Sequence, residues 1–172
     1  VVEKGDNSCI MLNKDIMDAV GITEDDVKTE EGFYAACEKV KTSGYTVEGQ
    51  SVLPVVLHAD QWINNSLDAV ISNNFGVVPV DADGNYVHKE TTPGYKNALK
   101  FVNNLIQKGY LDVNTMTIDE TALKTYLDAK RVFCWIGNQA QQDKTNMPWV
   151  SYGPIAASNG AKPVLGKDLS AG

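Results

Sequence analysis

The stretch Val55 to Gly76, VVLHADQWINNSLDAVISNNFG, decides how the chain is read. An apolar run, Val55-Val56-Leu57, gives way to a polar and aromatic cluster made of His58, Asp60, Gln61 and Trp62. Beyond it Ile63, Leu67, Val70 and Ile71 recur at helical spacing. The pattern predicts a buried strand, a loop presenting polar and aromatic groups, and then a helix. In open α/β folds ligands collect beyond the carboxyl ends of strands, where helix N-termini also point. A Trp set among a carboxylate, an imidazole and an amide suits a ligand with an apolar face and hydroxyls, as sugars have.

Upstream, Cys9 to Leu12 predicts a short strand. Asn13 is placed to cap a helix whose buried side carries Ile16, Met17 and Val20, with Gly21 as its left-handed stop. Thr29 caps a second helix, and Glu30 and Glu31 in its first turn complement the macrodipole. Phe33, Ala36, Cys37 and Val40 form its apolar stripe, and Ser43-Gly44 ends it.

Downstream, Asp83-Gly84 between Val77–Val80 and Tyr86–His88 is a hairpin signal. Thr92-Pro93 opens the clearest helix, with Tyr95, Leu99, Val102 and Ile106 as its apolar face and Lys108-Gly109 as its end. Thr117 to Glu120 matches a capping box ahead of Ala122, Leu123, Tyr126 and Leu127. Arg131 to Ile136 predicts a strand, with Gly137-Asn138-Gln139 as its exit loop. From Trp149 onward Gly, Pro and Ala dominate, leaving room for short strands only. Strands alternating with helices make the class α/β.

The 172 residues fit a single domain, residues 1–172. With 43% hydrophobic and 22% charged residues the composition is globular, and no run approaches the ~20 apolar residues of a membrane span. A net charge of -7 argues against a nucleic-acid partner, which needs a basic face. Cys9, Cys37 and Cys134 are spaced too widely for a zinc ribbon or a CxxC motif, and each sits in an apolar run. They read as buried small hydrophobes. The opening VVEKGDNSC carries no Met, signal peptide or lipid-attachment motif, and GKDLSAG closes no element. The expectation is a piece of a longer protein.

No catalytic constellation stands out. His58 and His88 are the two histidines, no GxSxG elbow occurs, and the cysteines look buried. The expectation is no enzyme and no cofactor. Asp81, Asp83 and Asn85 imitate half a calcium loop, but Tyr86 and Thr92 stand where an EF-hand needs Gly and Glu. A solvated turn explains them better, and no metal site is expected. Walker and GxGxxG patterns are missing. Trp62, Trp135 and Trp149 remain. Trp149 reads as packing. Trp62 and Trp135 each stand near a strand exit, so a shared cleft with Asp60, Asn138 and Gln139 and simple core packing both fit them.

The order of features resembles extracellular solute-binding proteins of family 1, the sugar-binding components of ABC importers that include maltose-binding protein. IMLNKDIMDAVGI resembles the family's YNKDLxxxAGI segment, and VKTEEGFYAACEKVK its PKTWDEFxxAAKKL helix, with Val27 where Pro is usual. DADGNYVHKETTPGYKNALKFVNNLIQKGYL is similar to its hairpin and following helix, and YLDAKRVFCWIGN to FxxGKxAMxIxGPW. KPVLGKDLSAG resembles the stretch where such chains recross to the other lobe.

The resemblance implies one lobe of a type II periplasmic-binding-protein fold, a mixed sheet of about five strands flanked by helices. This would be the C-terminal lobe, its tail from about residue 153 leading back to the other. It implies a sugar held between lobes by hinge closure, partly by His58, Asp60, Gln61 and Trp62 and partly by the loop of Asn138 and Gln139. Trp135 is the suggested substitute for a stacking aromatic that the family carries near Gln139 or Ala140. The implied parent is a monomeric extracellular or periplasmic protein, a membrane-anchored bacterial lipoprotein that serves the permease subunits of an ABC importer. Two rival readings are a small hydrolase or transferase with a site around His58, and a protein-interaction module.

Overall fold

The computed structural model describes residues 4–5, 8–57, 74–77, 80–81, 83–138, 148–150 and 167–168. Side chains 4, 5, 8, 9, 115, 116, 120, 136–138, 167 and 168 lie outside that description. At the centre is a mixed four-stranded sheet in the order β5 (Leu53–Val56), β6 (Val132–Asn138), β2 (Ser8–Asn13), β7 (Trp149–Val150). β5 and β6 run parallel, with Val55 opposite Cys134 and Val56 opposite Trp135. β2 is antiparallel to both β6 and β7. On the other side of β5, Leu111 forms a parallel bridge with Val55, whose N–H donates to the Tyr110 carbonyl at 3.1 Å. That bridge stands where the resemblance implied a fifth strand. Two small ribbons complete the pairing: β1 (Lys4–Gly5) with β8 (Lys167–Asp168), and β3 (Thr46–Val47) with β4 (Gln50–Ser51).

The helices form for the local reasons the sequence supplies. α1 (Lys14–Val20) starts at Asn13, whose side chain accepts from the N–H groups of Asp15 and Ile16, and stops at Gly21 with φ 69°. α2 (Glu30–Thr42) is capped by Thr29, which accepts from Gly32 N–H at 3.1 Å. α3 (Pro93–Gln107) is capped by Thr92 with Pro93 in its first turn. Gly94 is required there, because a Cβ would stand 2.7 Å from the Phe75 carbonyl oxygen. α4 (Glu120–Asp128) follows a 3₁₀ turn over Val113–Thr117.

The sheet separates two cores. The larger takes Ile10, Leu12, Val55, Leu57 and Cys134 from the sheet side, with Ile16 and Met17 of α1 and the predicted stripe Phe33, Ala36, Cys37 and Val40 of α2. Phe101 of α3 lies at its centre, 5.9 Å from Phe33, 5.7 Å from Tyr34 and 5.7 Å from Phe75 between ring centroids. The smaller core joins Met11, Val56, Val132 and Trp135 to Leu123 of α4. Lysines on α2 stitch its neighbours down: Lys39 donates to the Gly21 carbonyl at 2.6 Å and Lys41 to the Lys108 carbonyl at 2.8 Å.

Three local expectations need correction. The buried face of α3 is Ala98, Phe101, Val102 and Leu105, while Leu99 is 41% exposed. Both sets have helical spacing, and the aromatic cluster at Phe101 selects the second. The cap of α4 is Asp119, accepting from Ala122 N–H at 2.8 Å; Thr117 instead donates to the Asn114 carbonyl inside the 3₁₀ turn. The hairpin signal at Asp83-Gly84 holds among the described residues: Val80 and Tyr86 form an antiparallel bridge and Asp81 N–H donates to the Asn85 carbonyl at 2.9 Å. His88 is exposed, and it precedes a 3₁₀ turn over Lys89–Thr91 rather than lying in a strand.

Candidate functional site

β5 and β6 are adjacent and parallel, so their chains leave the sheet at the same edge. Adjacent strands lie ~4.8 Å apart, and β6 runs on to Asn138, three residues past the level at which β5 ends. Leu57, the last described residue after β5, is buried in the larger core. The polar cluster of the opening stretch begins at the next residue. His58, Asp60, Gln61 and Trp62 lie outside the described residues, as do Gln139 and the helix predicted from Ile63 to Ile71.

Two predicted site residues can be placed. β6 continues through Gly137 and Asn138, which pair with Cys9 and Ser8, so the predicted exit loop is partly strand. The antiparallel partner β2 holds those residues in the ladder. Asn138 is therefore the last strand position at the edge.

Trp135 does not stand at the exit as a stacking platform. It sits three residues inside the strand, fully buried with Met11 and Val56 as its register neighbours and Leu123 in the same cluster. Trp149 meets it edge to face at 6.4 Å. Packing wins for Trp135 because its ring fills the sheet face that α4 covers. Its indole Nε1 is buried without a hydrogen-bond partner.

Away from this edge the chemistry is structural. Asp81 accepts from the N–H groups of Asp83 at 3.0 Å and Asn85 at 2.8 Å. The Asn85 backbone and side chain lead in holding its carboxyl below the usual value. A carboxylate occupied by its own turn fits the solvated-turn reading. Among the described residues no group of three His, Cys, Asp or Glu could hold a metal. Cys37 and Cys134 are both buried, and burial pushes the Cys37 thiol well up, the opposite of nucleophile activation. Among the described residues no helix is long and apolar enough to cross a membrane.

The sequence reading missed the exit that follows Leu111. Its signal was weak: one parallel bridge, flanked by Gly109 and an Asp-Val-Asn turn, gives no strand-length apolar run.

No model of a protein family matches the chain, and no curated protein matches it. Solved structures do. An S. pneumoniae ABC-transporter substrate-binding protein, FusA, in complex with kestose, superposes with a TM-score of 0.77 at 17% identity, covering 95% of this chain and 34% of that one. A sugar transporter from Arthrobacter chlorophenolicus with bound laminaribiose gives 0.69 at 15% identity, covering 96% and 42%. One from Bacillus licheniformis in complex with stachyose gives 0.61 at 14%, covering 94% and 43%. The chain thus has the fold of one part of carbohydrate-type ABC solute-binding proteins, and it spans 34% to 43% of the length of these three.

Proposed function

We propose that this chain is the C-terminal lobe of a two-lobed solute-binding protein that captures a mono- or oligosaccharide outside the cytoplasm for an ABC importer. The observation that carries this reading is the parallel pairing of β5 and β6, which brings the segments after Leu57 and Asn138 out at one edge of a sheet whose fold matches sugar-binding relatives. Asp60 is assigned as hydroxyl acceptor, with His58, Gln61, Asn138 and Gln139 as supporting polar groups and Trp62 as the stacking face. Residues 1–172 act as one unit, the tail from about residue 153 leading toward the second lobe.

No bond is made or broken. Hinge closure excludes water from the cleft, which strengthens the hydrogen bonds to sugar hydroxyls. The parent delivers its ligand, as a monomer, to membrane permease subunits, and a lipid anchor on the bacterial surface fits that task.

A thermal-shift screen of kestose, stachyose, laminaribiose and simple monosaccharides on the longest natural chain containing residues 1–172 tests the substrate class. Stabilisation by peptides or other solutes, with none by any carbohydrate, rules it out. Residues 1–172 alone hold half a cleft and are expected to bind sugar weakly or undetectably. Sub-micromolar affinity of the isolated lobe in calorimetry contradicts the two-lobe reading.

A further inference from the structure

Three described segments of chain run parallel toward one edge of the sheet: β6, β5 and, bridged to Val55, the segment at Leu111. The described parts of the two connections that involve Leu111 pack on opposite faces. The chain leading from β5 to it passes through Phe75, Val77 and α3, whose buried side chains all join the larger core. The chain leading from it to β6 passes through α4, whose Leu123 joins the smaller core with Ile118, Tyr126 and Leu127 packed against it. Two neighbouring parallel strands whose connections depart to opposite faces make a topological switch point, and the crevice beyond their carboxyl ends is where α/β sheets bind ligands.

We infer that the turn Asp112–Val113–Asn114 forms a wall of the solute site beyond the carboxyl ends of β5 and Leu111, with Val113 as an apolar contact and Asn114 as a hydroxyl partner. This assignment rests on the proposed sugar-binding function and names a contact beyond the two exits already described. Val113 supports it: it is 55% exposed at the start of the 3₁₀ turn, one residue past the exposed Asp112 and two past the buried Leu111. A half-exposed aliphatic side chain between polar neighbours is the mixed surface a sugar ring meets with its C–H face and its hydroxyls. The turn is preorganised, because the Asp112 carboxylate accepts from both the backbone and the side-chain N–H of Asn114, at 2.9 and 2.8 Å. The Thr117 hydroxyl, donating to the Asn114 carbonyl at 2.9 Å, fastens the other end.

The test is calorimetry on the longest natural chain containing residues 1–172, with whichever of kestose, stachyose or laminaribiose binds it, for Val113→Arg, Asn114→Ala and the control Lys124→Ala on α4. The expected result is a loss of at least tenfold in affinity for Val113→Arg and of about threefold to tenfold for Asn114→Ala, with Tm unchanged and the control binding like the parent. If the parent binds sugar and both variants bind it equally well, the assignment of this turn is overturned while the sugar-binding function stands. If the parent binds none of the sugars, the function itself fails and this assignment falls with it.

Discussion

The two ends of the sheet are fastened differently. At the end where β2 stops and β5 and β6 begin, side chains reach across to backbone carbonyls: Asn13 to Lys130, Arg131 to Ser51, and nearby Lys41 to Lys108. The Lys14 N–H adds a backbone bond to the Pro148 carbonyl at 2.7 Å. At the opposite end, where β5, β6 and Leu111 point, the described Asp112–Thr117 turn is held by bonds within itself. Among the described residues, one end ties distant parts of the sequence together, and the turn at the other end is bonded locally. Such a division lets surface residues vary at the edge proposed to face the ligand with little cost to the fold.

The largest expected effect lies at the fastened end. Asn13 is fully buried and does two tasks, capping α1 with its oxygen and donating to the Lys130 carbonyl at 3.3 Å with its nitrogen. Asn13→Ala removes the cap, worth ~1 kcal/mol, and leaves a carbonyl unsatisfied, so the expected loss is about 2–3 kcal/mol in urea unfolding. Asn13→Asp keeps the cap and loses the donor, and is expected to fall between. Equal stability of Asn13→Ala and the parent would show that the two ends do not differ in this way.

Cys37 lies one turn before Lys41 on α2 and belongs to the interior beneath this end. Burial raises its thiol well above the ordinary value, with Cys134 nearby adding to the rise. A group whose pKa is raised on folding contributes its full stability below the unfolded pKa, about 8.5 for a thiol, and loses it as pH climbs. The expected slope above that pH reaches about 1.4 kcal/mol per pH unit from this group. Cys37→Ala lowers stability at pH 7 but flattens the fall between pH 8.5 and 10. An unchanged slope in Cys37→Ala would locate the alkaline sensitivity between pH 8.5 and 10 in other groups; Tyr110, whose hydroxyl burial raises to about 12, adds its own fall only above about pH 10.

A smaller effect of opposite sign is expected at Lys130. It carries φ 52° two residues before β6, a left-handed conformation that disfavours a side chain. Lys130→Gly keeps the carbonyl that Asn13 uses and is expected to stabilise by about 0.5–1 kcal/mol, read as a rise in Tm.

How far the sequence spoke follows the same division. α1 and α2 were legible to their caps, because Asn13, Gly21 and Thr29 act within one turn of themselves. The buried face of α3 was not, since Leu99 and Phe101 both sit on plausible stripes and only the rings of Phe33, Tyr34 and Phe75 choose between them. Trp135 was misplaced for a related reason. Distance from a strand's apparent end counts for little when β2 extends the ladder to Asn138. At the candidate site, local composition located the segment after Leu57, but the importance of Leu111 depends on which face each connection takes. That is a property of tertiary order, invisible to periodicity.

The smallest expected effect is on stability at the open edge, where it is most diagnostic. Val113 is 55% exposed, so Val113→Ser removes little buried apolar surface. Asn114→Ala gives up a side-chain bond to Asp112 but leaves the backbone bond of residue 114 to the same carboxylate. Each substitution is expected to change unfolding free energy by less than about 0.5 kcal/mol, the ordinary range for surface positions. Set beside the about 2–3 kcal/mol expected for Asn13→Ala, that gap measures how far the two ends have separated their roles. A loss above 1 kcal/mol in either variant would mean that the turn bears part of the fold. Any change in sugar affinity there would then no longer report a contact with the ligand alone.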